Sequence, residues 1–261
     1  MEAPTGPAAL IAAHPGHELR VHGWLERARP EVFVLTDGSG HAGTSRLPST
    51  AEVLGRAGAR QGFVFGRYTD RAFYELLLAG RAEPLADLAR ELAAALVASR
   101  VERVVCDAAE GFNPSHDLCR LLAGAASALA AVRLGRPIAC FDHLLEGSPE
   151  ARCTCGSEGS CVRLVLDDAA LDRKLAAAEA YPELRGEVER ALALYGPAAF
   201  RVEHLRPADP HGEAEDLVPD NPGYERHGAE RVAAGHYRRV LRRREHFLPI
   251  ARALREIVAS A

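Results

Sequence analysis

Short apolar runs that stop abruptly at polar residues constrain the fold of this chain more than any other feature. Leu10-Ile11-Ala12-Ala13 ends at His14-Pro15-Gly16, and Val32 to Thr36 ends at Asp37-Gly38. Two further runs behave in the same way, Arg103 to Cys106 before Asp107 and Pro137 to Phe141 before Asp142-His143. Apolar runs of this length, bounded by turn residues, are typical of buried β-strands.

The segments between these runs read as helices. Residues 84 to 99 carry leucine at 85, 88, 92 and 96, a spacing that predicts an amphipathic helix, and a second helix is predicted from about Ser115 to Leu134. Strands that alternate with helices predict an α/β fold of three layers, a Rossmann-like, mostly parallel sheet with helices on both faces. Because ligands bind beyond the carboxyl ends of such strands, we expect His14, Asp37 and Asp107 to line one crevice.

The length and composition of the chain bound its class. Its 261 residues fit a single domain over 1–261 with a C-terminal elaboration over about 181–261. No apolar run is long enough to predict a membrane span, and a net charge of -4 gives no general attraction to nucleic acid. Six cysteines and a start without basic residues before Leu10 predict a cytoplasmic location.

The cluster His14-Pro15-Gly16-His17-Glu18 is the strongest candidate for a chemical site. Imidazole is a common ligand of divalent metals, and two histidines three residues apart at the end of a strand can face one crevice. His116, expected at the end of another strand, would supply a third ligand, and three ligands with one open position are typical of catalytic zinc. The alternative is that these are ordinary loop histidines that face solvent.

Several motifs, taken in order, resemble the metal-dependent N-deacetylases that include N-acetylglucosaminyl-phosphatidylinositol de-N-acetylase and the LmbE-like bacterial proteins. Residues 13–18 resemble the family's Ala-His-Pro-Asp-Asp-Glu, Thr36-Asp37-Gly38 its Thr-Asp-Gly, and residues 113–117 its His-Pro-Asp-His segment. The resemblance covers about residues 8 to 180. It implies the three-layer fold, and it points to Arg46, Asp70 and Asp37 as residues that bind substrate.

Carried over residue by residue, the resemblance implies a metal site with altered acid–base chemistry. His14 and His116 occupy ligand positions of the family, and His17 replaces a ligand aspartate. Gly16 stands where the family has the aspartate that acts as general base. Asn113 replaces a histidine that stabilises the tetrahedral intermediate, although an amide can still donate a hydrogen bond to an oxyanion.

A replacement base has to lie within hydrogen-bond reach of the attacking water. Glu18, Asp107 and Glu110 are the carboxylates nearest in sequence to the predicted ligands, and we favour Glu110 because it lies on a loop beside the site. Glu18 instead fits a role in capping the following helix or in supporting a histidine ligand.

The sequence thus predicts a hydrolase that uses zinc, or another divalent metal, to remove an N-acyl group, acetyl above all, from an amino sugar, a glycoconjugate or a related small metabolite. The alternative is a catalytically degenerate protein that binds a small molecule or sugar conjugate and keeps the crevice, with or without the metal. We expect residues 147 to 161 to form an exposed loop with free thiols. An arginine-rich helix is predicted from about Ala229 to Val258, its charged face turned to solvent or to an acidic partner.

Overall fold

The computed structural model describes residues 6–40, 43–149, 161–212 and 217–261. Within them, seven strands form one sheet in the order β3-β2-β1-β4-β5-β7-β6. The first five strands of this order run parallel, and β7 is antiparallel to both β5 and β6. The strands are Ala8–Ala12 (β1), Glu31–Thr36 (β2), Arg60–Tyr68 (β3), Arg103–Asp107 (β4), Ala139–His143 (β5), Val162–Val165 (β6) and Val202–Pro207 (β7).

Helices connect these strands and cover the sheet on both sides. They are His22–Ala28 (α1), Leu47–Ala57 (α2), Asp70–Leu78 (α3), Ala82–Ala98 (α4), Pro114–Leu134 (α5), Asp168–Glu179 (α6), Arg185–Tyr195 (α7), Gly223–Ala233 (α8) and Leu248–Ala259 (α9). A 3-10 turn, His17–Val21, leads into α1. Within the described ranges, no helix is both long enough and apolar enough to cross a bilayer.

The two faces of the sheet bury separate cores. Successive side chains of a strand point to opposite faces, so Ala9 and Ile11 of β1 pack with α3, α4, α5 and α9. Ala8 and Leu10 pack on the other side with α1, α2 and α6. The predicted three-layer, mostly parallel α/β fold is therefore confirmed.

Most of the predicted elements occur within a few residues of their predicted bounds. The sequence did not predict β3, which has only scattered buried positions, the short helix α3, or the later elements α7 and β7. The predicted arginine-rich helix from Ala229 to Val258 is wrong in its continuity: α8 stops at Ala233, and α9 begins at Leu248. Gly235, at a φ of 75°, lies in the left-handed region just after α8, a conformation that terminates helices.

Two further predictions concern the loop at residues 147–161 and the division of the chain into domains. Residues 150–160 of the predicted loop lie outside the described residues. Cys161 is disulfide-bonded, which corrects the expectation of free thiols at that position. The single domain with a C-terminal elaboration stays a prediction.

A buried ion pair ties the antiparallel part of the sheet to α1 and α6. The carboxylate of Glu203, on β7, accepts hydrogen bonds from the backbone N–H groups of Gly23 and Trp24 in the first turn of α1. Lys174 of α6 donates to the same carboxylate at 2.8 Å and also to the carbonyl of Arg20. Both side chains are buried, so each charge depends on the other for its solvation.

Removal of one charge from this pair tests its structural role. Because Glu203→Gln leaves Lys174 buried without its counter-charge, we expect the free energy of unfolding to fall by about 3–5 kcal/mol in urea titrations. Glu52→Gln, in the exposed pair between Glu52 and Arg56, is the matched control and should change stability by less than about 1 kcal/mol. Equal effects of the two substitutions would contradict this role for Glu203.

Candidate functional site

The candidate site lies where the chain order of the parallel strands reverses. β1 has β2 on one side and β4 on the other, and the connections leave these strands in opposite directions. A crevice forms at the carboxyl ends of strands at such a point. His14 and His17 follow β1, and Asp107 is the last residue of β4. Hydrogen bonds described below link the three predicted strand ends at His14, Asp37 and Asp107, so these residues lie close together.

Three histidine rings meet in this crevice. The ring centroids of His14 and His17 are 5.3 Å apart, those of His14 and His116 are 5.2 Å apart, and those of His17 and His116 are 4.6 Å apart. All three pairs are close to edge-to-face. The structure thus brings together the three predicted metal ligands from two segments of the chain about 100 residues apart in sequence, an arrangement dictated by the pairing of β1 with β4.

Asp107 fixes the orientation of His17. Its fully buried Oδ2 accepts a hydrogen bond from the backbone N–H of Ala13 at 2.7 Å and lies 2.9 Å from Nδ1 of His17. Burial on its own would raise the pKa of Asp107, but the charge and hydrogen bond of His17 outweigh it and hold that pKa well below its usual range. Since a carboxylate only accepts, Nδ1 of His17 carries a hydrogen, and in the neutral ring the lone pair is on Nε2.

Asp70 does the same for His14. Nδ1 of His14 lies 2.9 Å from Oδ1 of Asp70 and 2.8 Å from the hydroxyl of Thr36, and Nε2 is buried without a hydrogen-bond partner in the described part of the chain. Asp37 accepts from the backbone N–H of Asp70 and from both the N–H and the hydroxyl of Ser39. Asp70 thus holds His14 directly, and Asp37 holds Asp70. Binding of substrate by either residue stays a prediction.

His116 enters the site from the first turn of α5. Asn113 is the N-cap of this helix, with its side-chain oxygen accepting from the backbone N–H of Ser115 at 2.9 Å, and Pro114 occupies the first helical position. Burial, together with the neighbouring histidines, lowers the pKa of His116 well below its usual range. The ring is therefore neutral near pH 7, the form that binds a metal.

The three rings fit a metal centre in spacing but do not present a finished one. Three imidazoles that bind one tetrahedral zinc ion through nitrogen at about 2.0–2.1 Å have ring centres about 5 Å apart. The observed separations agree with this value. Within residues 6–40, 43–149, 161–212 and 217–261, however, no group of three or more His, Cys, Asp or Glu side chains is placed so that it could hold a metal ion. The spacing of the rings therefore agrees with a metal site, but in the described part of the chain their donor atoms are not placed to hold a metal ion.

The turn at Gly16 disfavours a side chain at the position that matches the general base of the resembled N-deacetylases. Gly16 has a φ of 102°, which favours glycine, and a Cβ atom there would lie 2.4 Å from Cδ1 of Leu184. Glu18, fully buried, accepts hydrogen bonds from the backbone N–H of Gly16 at 2.8 Å and from the hydroxyl of Thr50 at 2.8 Å. Glu18 therefore stabilises the turn that carries the two histidines, in line with a supporting role rather than with direct chemistry.

Glu110 lies on the loop after β4, where it connects two strand ends. Its carboxylate accepts hydrogen bonds from the backbone N–H groups of Leu145 at 2.8 Å and of Glu146 at 3.3 Å, beyond the end of β5. Burial raises the pKa of Glu110 above its usual range, as a general base requires. Its role as the base stays a prediction, since its oxygens also hold the loop that follows β5.

Arg46 precedes α2, and its backbone has a structural role. Its N–H donates to the carbonyl of Asp37, and its carbonyl accepts from the hydroxyl of Tyr181. Arg46 is thereby held to Asp37, which follows β2, and to Tyr181. Binding of substrate by the Arg46 side chain stays a prediction.

His143 is the residue of the site whose contacts the sequence did not reveal. It ends β5, is 2% exposed, and places Nε2 3.8 Å from Oδ1 of Asp107, the oxygen of that carboxylate that has no hydrogen bond. The only signal in the sequence was its position after a short apolar run. Because β4 and β5 are neighbours, that position brings His143 to the buried carboxylate.

The strained turn can be tested with a matched pair of glycine substitutions. Gly16→Ala adds a Cβ at a positive φ and against Leu184, so we expect it to lower the free energy of unfolding on the order of 1–3 kcal/mol. Gly55→Ala, in α2 with open space around the added atom, should raise it by about 0.5–1 kcal/mol. Urea unfolding of both variants checks the prediction, and a neutral Gly16→Ala would contradict the geometry of the turn.

Comparisons with known proteins find similarity in structure alone. No protein-family model matches the chain, and no curated protein matches it in sequence. Similar solved structures include the A40926 pseudoaglycone deacetylase Dbv21 (19% identity, TM-score 0.49, 78% of this chain and 97% of that one). A second similar structure is a triple mutant, Orf2*T, of a deacetylase of teicoplanin biosynthesis (13% identity, TM-score 0.48, 77% of this chain and 97% of that one). A third is the zinc-inhibited form of teicoplanin deacetylase Orf2 (13% identity, TM-score 0.49, 77% of this chain and 97% of that one). Similarities at this level do not establish a shared family or activity.

Proposed function

We propose that this protein is a metal-dependent hydrolase that removes an N-acyl group, acetyl above all, from an amino sugar or related small metabolite. One observation carries the proposal: three histidine rings about 5 Å apart, two of them held through Nδ1 by carboxylates, at the carboxyl ends of β1 and β4. Carboxylates that accept from the second nitrogen of a histidine are the usual support of metal ligands.

Zinc, or another divalent ion, would be held by His14, His17 and His116, where it would supply a water of lowered pKa and polarise the acyl carbonyl. The chain's own residues prepare the site for it. Asp70 and Asp107 fix the hydrogen of two rings on Nδ1, and burial keeps His116 neutral, so that each ring has a lone pair to offer.

The remaining steps need a proton acceptor and a donor to the developing oxyanion. Glu110 is the proposed acceptor, since burial raises its pKa. The side-chain amide of Asn113, at the start of the helix that carries His116, is the proposed hydrogen-bond donor, while its oxygen caps the helix. We place the protein in the cytoplasm, with a small N-acylated sugar or glycoconjugate as its partner.

A second function, binding without catalysis, is favoured by a specific observation. A side chain at Gly16, which matches the base position of the resembled deacetylases, would be strained, because the turn has a positive φ and a Cβ atom there would meet Leu184. The other carboxylates in the turn and loop, Glu18 and Glu110, accept backbone hydrogen bonds. A crevice that keeps its histidines but has no base available would bind its small molecule unchanged.

Metal binding is the first test of the proposal. Titration of the purified protein with Co²⁺, followed by visible absorption, should show one tetrahedral site that Zn²⁺ displaces. His14→Ala and His116→Ala should abolish the signal, and His227→Ala, an exposed histidine far along the chain, should leave it unchanged. If the wild-type protein binds neither ion, the proposed metal site is wrong.

The role of Asp107 can be separated from that of the ligands. Asp107→Asn keeps the shape of the side chain but no longer fixes the hydrogen of His17 on Nδ1, so metal affinity should fall by about 10- to 100-fold without being lost. Competition with a chelating dye measures the change. An affinity equal to that of the wild type would show that Asp107 does not act through His17.

Catalysis is tested on a panel of N-acetylated amino sugars by detection of free amine. Glu110→Gln should lower kcat by about 10²- to 10⁴-fold with metal content unchanged, because the amide cannot accept a proton. Glu146→Gln, the same change at the exposed neighbouring residue, is the control. Activity that survives Glu110→Gln would assign the base elsewhere, and wild-type protein that binds metal but is inert on the whole panel would favour the binding role.

A further inference from the structure

A small cavity lies beside His143. Its volume is about 40 Å³, and its lining includes Arg20, His143, Lys174, Glu203 and Arg206. It is bounded by β7, by the 3-10 turn before α1 and by α6. A cavity needs about 10–15 Å³ for one water molecule, so this one has room for about three atoms of that size, enough for the terminal oxygens of a carboxylate or phosphate group.

Two of the three cations around the cavity already have carboxylate partners. Lys174 lies 2.8 Å from Oε1 of Glu203. Arg206 donates to Oδ1 of Asp142 at 2.7 Å. Each of these pairs is neutral overall, so the positive charge of the third cation is left unbalanced in the walls of the cavity.

Arg20 is that third cation. It donates one hydrogen bond to the carbonyl of Leu145, and among the described residues it forms no ion pair with a carboxylate. Burial lowers the pKa of Arg20 in spite of the more distant attraction of Glu110 and Glu146. A guanidinium group has five N–H donors, so most of those of Arg20 remain available to a group inside the cavity.

His143 adds a second polar group to the lining of the cavity. The ring is 2% exposed, and neither nitrogen has a hydrogen-bond partner in the described part of the chain. Burial lowers the pKa of His143 to about 4, so that the ring is neutral near pH 7 and offers one N–H. Its Nε2 is 3.8 Å from the carboxylate that holds His17, which places the cavity next to the candidate site.

We propose that this cavity is a subsite for a small oxyanion, a carboxylate or phosphate group carried by the substrate, bound by Arg20 and His143. Arg20 and the unpartnered ring of His143 both line it, and its unbalanced charge is positive, so it suits an anion better than a cation or a neutral hydroxyl. The assignment to the substrate rests on the proposed function, whereas binding of the anion does not.

Direct binding tests the subsite without any catalysis. Isothermal titration of the whole protein with inorganic phosphate and with acetate, at constant ionic strength set by chloride, gives the Kd of each anion. Loss of the charge in Arg20→Gln should weaken binding about 10- to 100-fold. Arg20→Lys, which keeps the charge, should recover part of it, and Arg27→Gln, an exposed arginine of α1, should bind as the wild type does.

The outcomes separate the subsite from its alternatives. If the wild type binds neither anion beyond the chloride control, or if Arg20→Gln binds both as the wild type does, the proposal is wrong. If Arg20→Gln fails to fold, as shown by its thermal unfolding, Arg20→Lys still decides, because a purely structural cation would leave the anion Kd unchanged once the fold is kept.

A second arm asks whether the anion belongs to the substrate. The affinities for N-acetylglucosamine 6-phosphate, N-acetylmuramic acid and neutral N-acetylglucosamine should differ at least about tenfold in favour of an anionic sugar, and Arg20→Gln should abolish the difference. Equal affinities with intact phosphate or acetate binding would assign the cavity to a free anion and overturn the link to the substrate. Because both arms measure binding, an inactive protein would disprove the proposed hydrolysis and leave the subsite testable.

Discussion

The buried carboxylate of Asp107 is the interaction on which the candidate site depends. A charged group with no solvent exposure is stable only if hydrogen bonds and opposite charge replace water, and here Ala13 supplies a backbone N–H and His17 an imidazole. One oxygen therefore holds the end of β1 and the ring of His17 together at the end of β4. A change in the register of β1 against β4 would therefore also change the orientation of His17, a predicted metal ligand.

A similar arrangement holds the other histidine of the turn. Asp37, at the end of β2, positions the backbone of Asp70, and Asp70 orients His14. Glu18 accepts hydrogen bonds from Gly16 and Thr50 and so stabilises the turn between the two histidines. The rings of His14 and His17 are therefore each oriented by a carboxylate. Hydrogen bonds of this kind fix the orientation of metal ligands. Chemistry at the site requires, in addition, a base that the turn itself does not provide.

The sequence predicted the layers, the central strands and the edge at which the site lies, because these follow from apolar runs and from the polar residues that end them. It also predicted the three histidines that meet. It did not predict β3, whose residues are half exposed at the edge of the sheet, or the break between α8 and α9. Roles that depend on contacts between distant segments, such as Asp70 with His14 or His143 with Asp107, could not be read from spacing, since they arise from strand order.

The central claim is that His14, His17 and His116 form one metal centre. X-ray diffraction from crystals grown with Zn²⁺, with data collected on both sides of the zinc absorption edge, tests it most directly. The account predicts one strong anomalous peak at the carboxyl ends of β1 and β4, bonded to a nitrogen of each ring at about 2.0–2.1 Å. A peak elsewhere, or no peak beside histidines that keep their present arrangement, would contradict it.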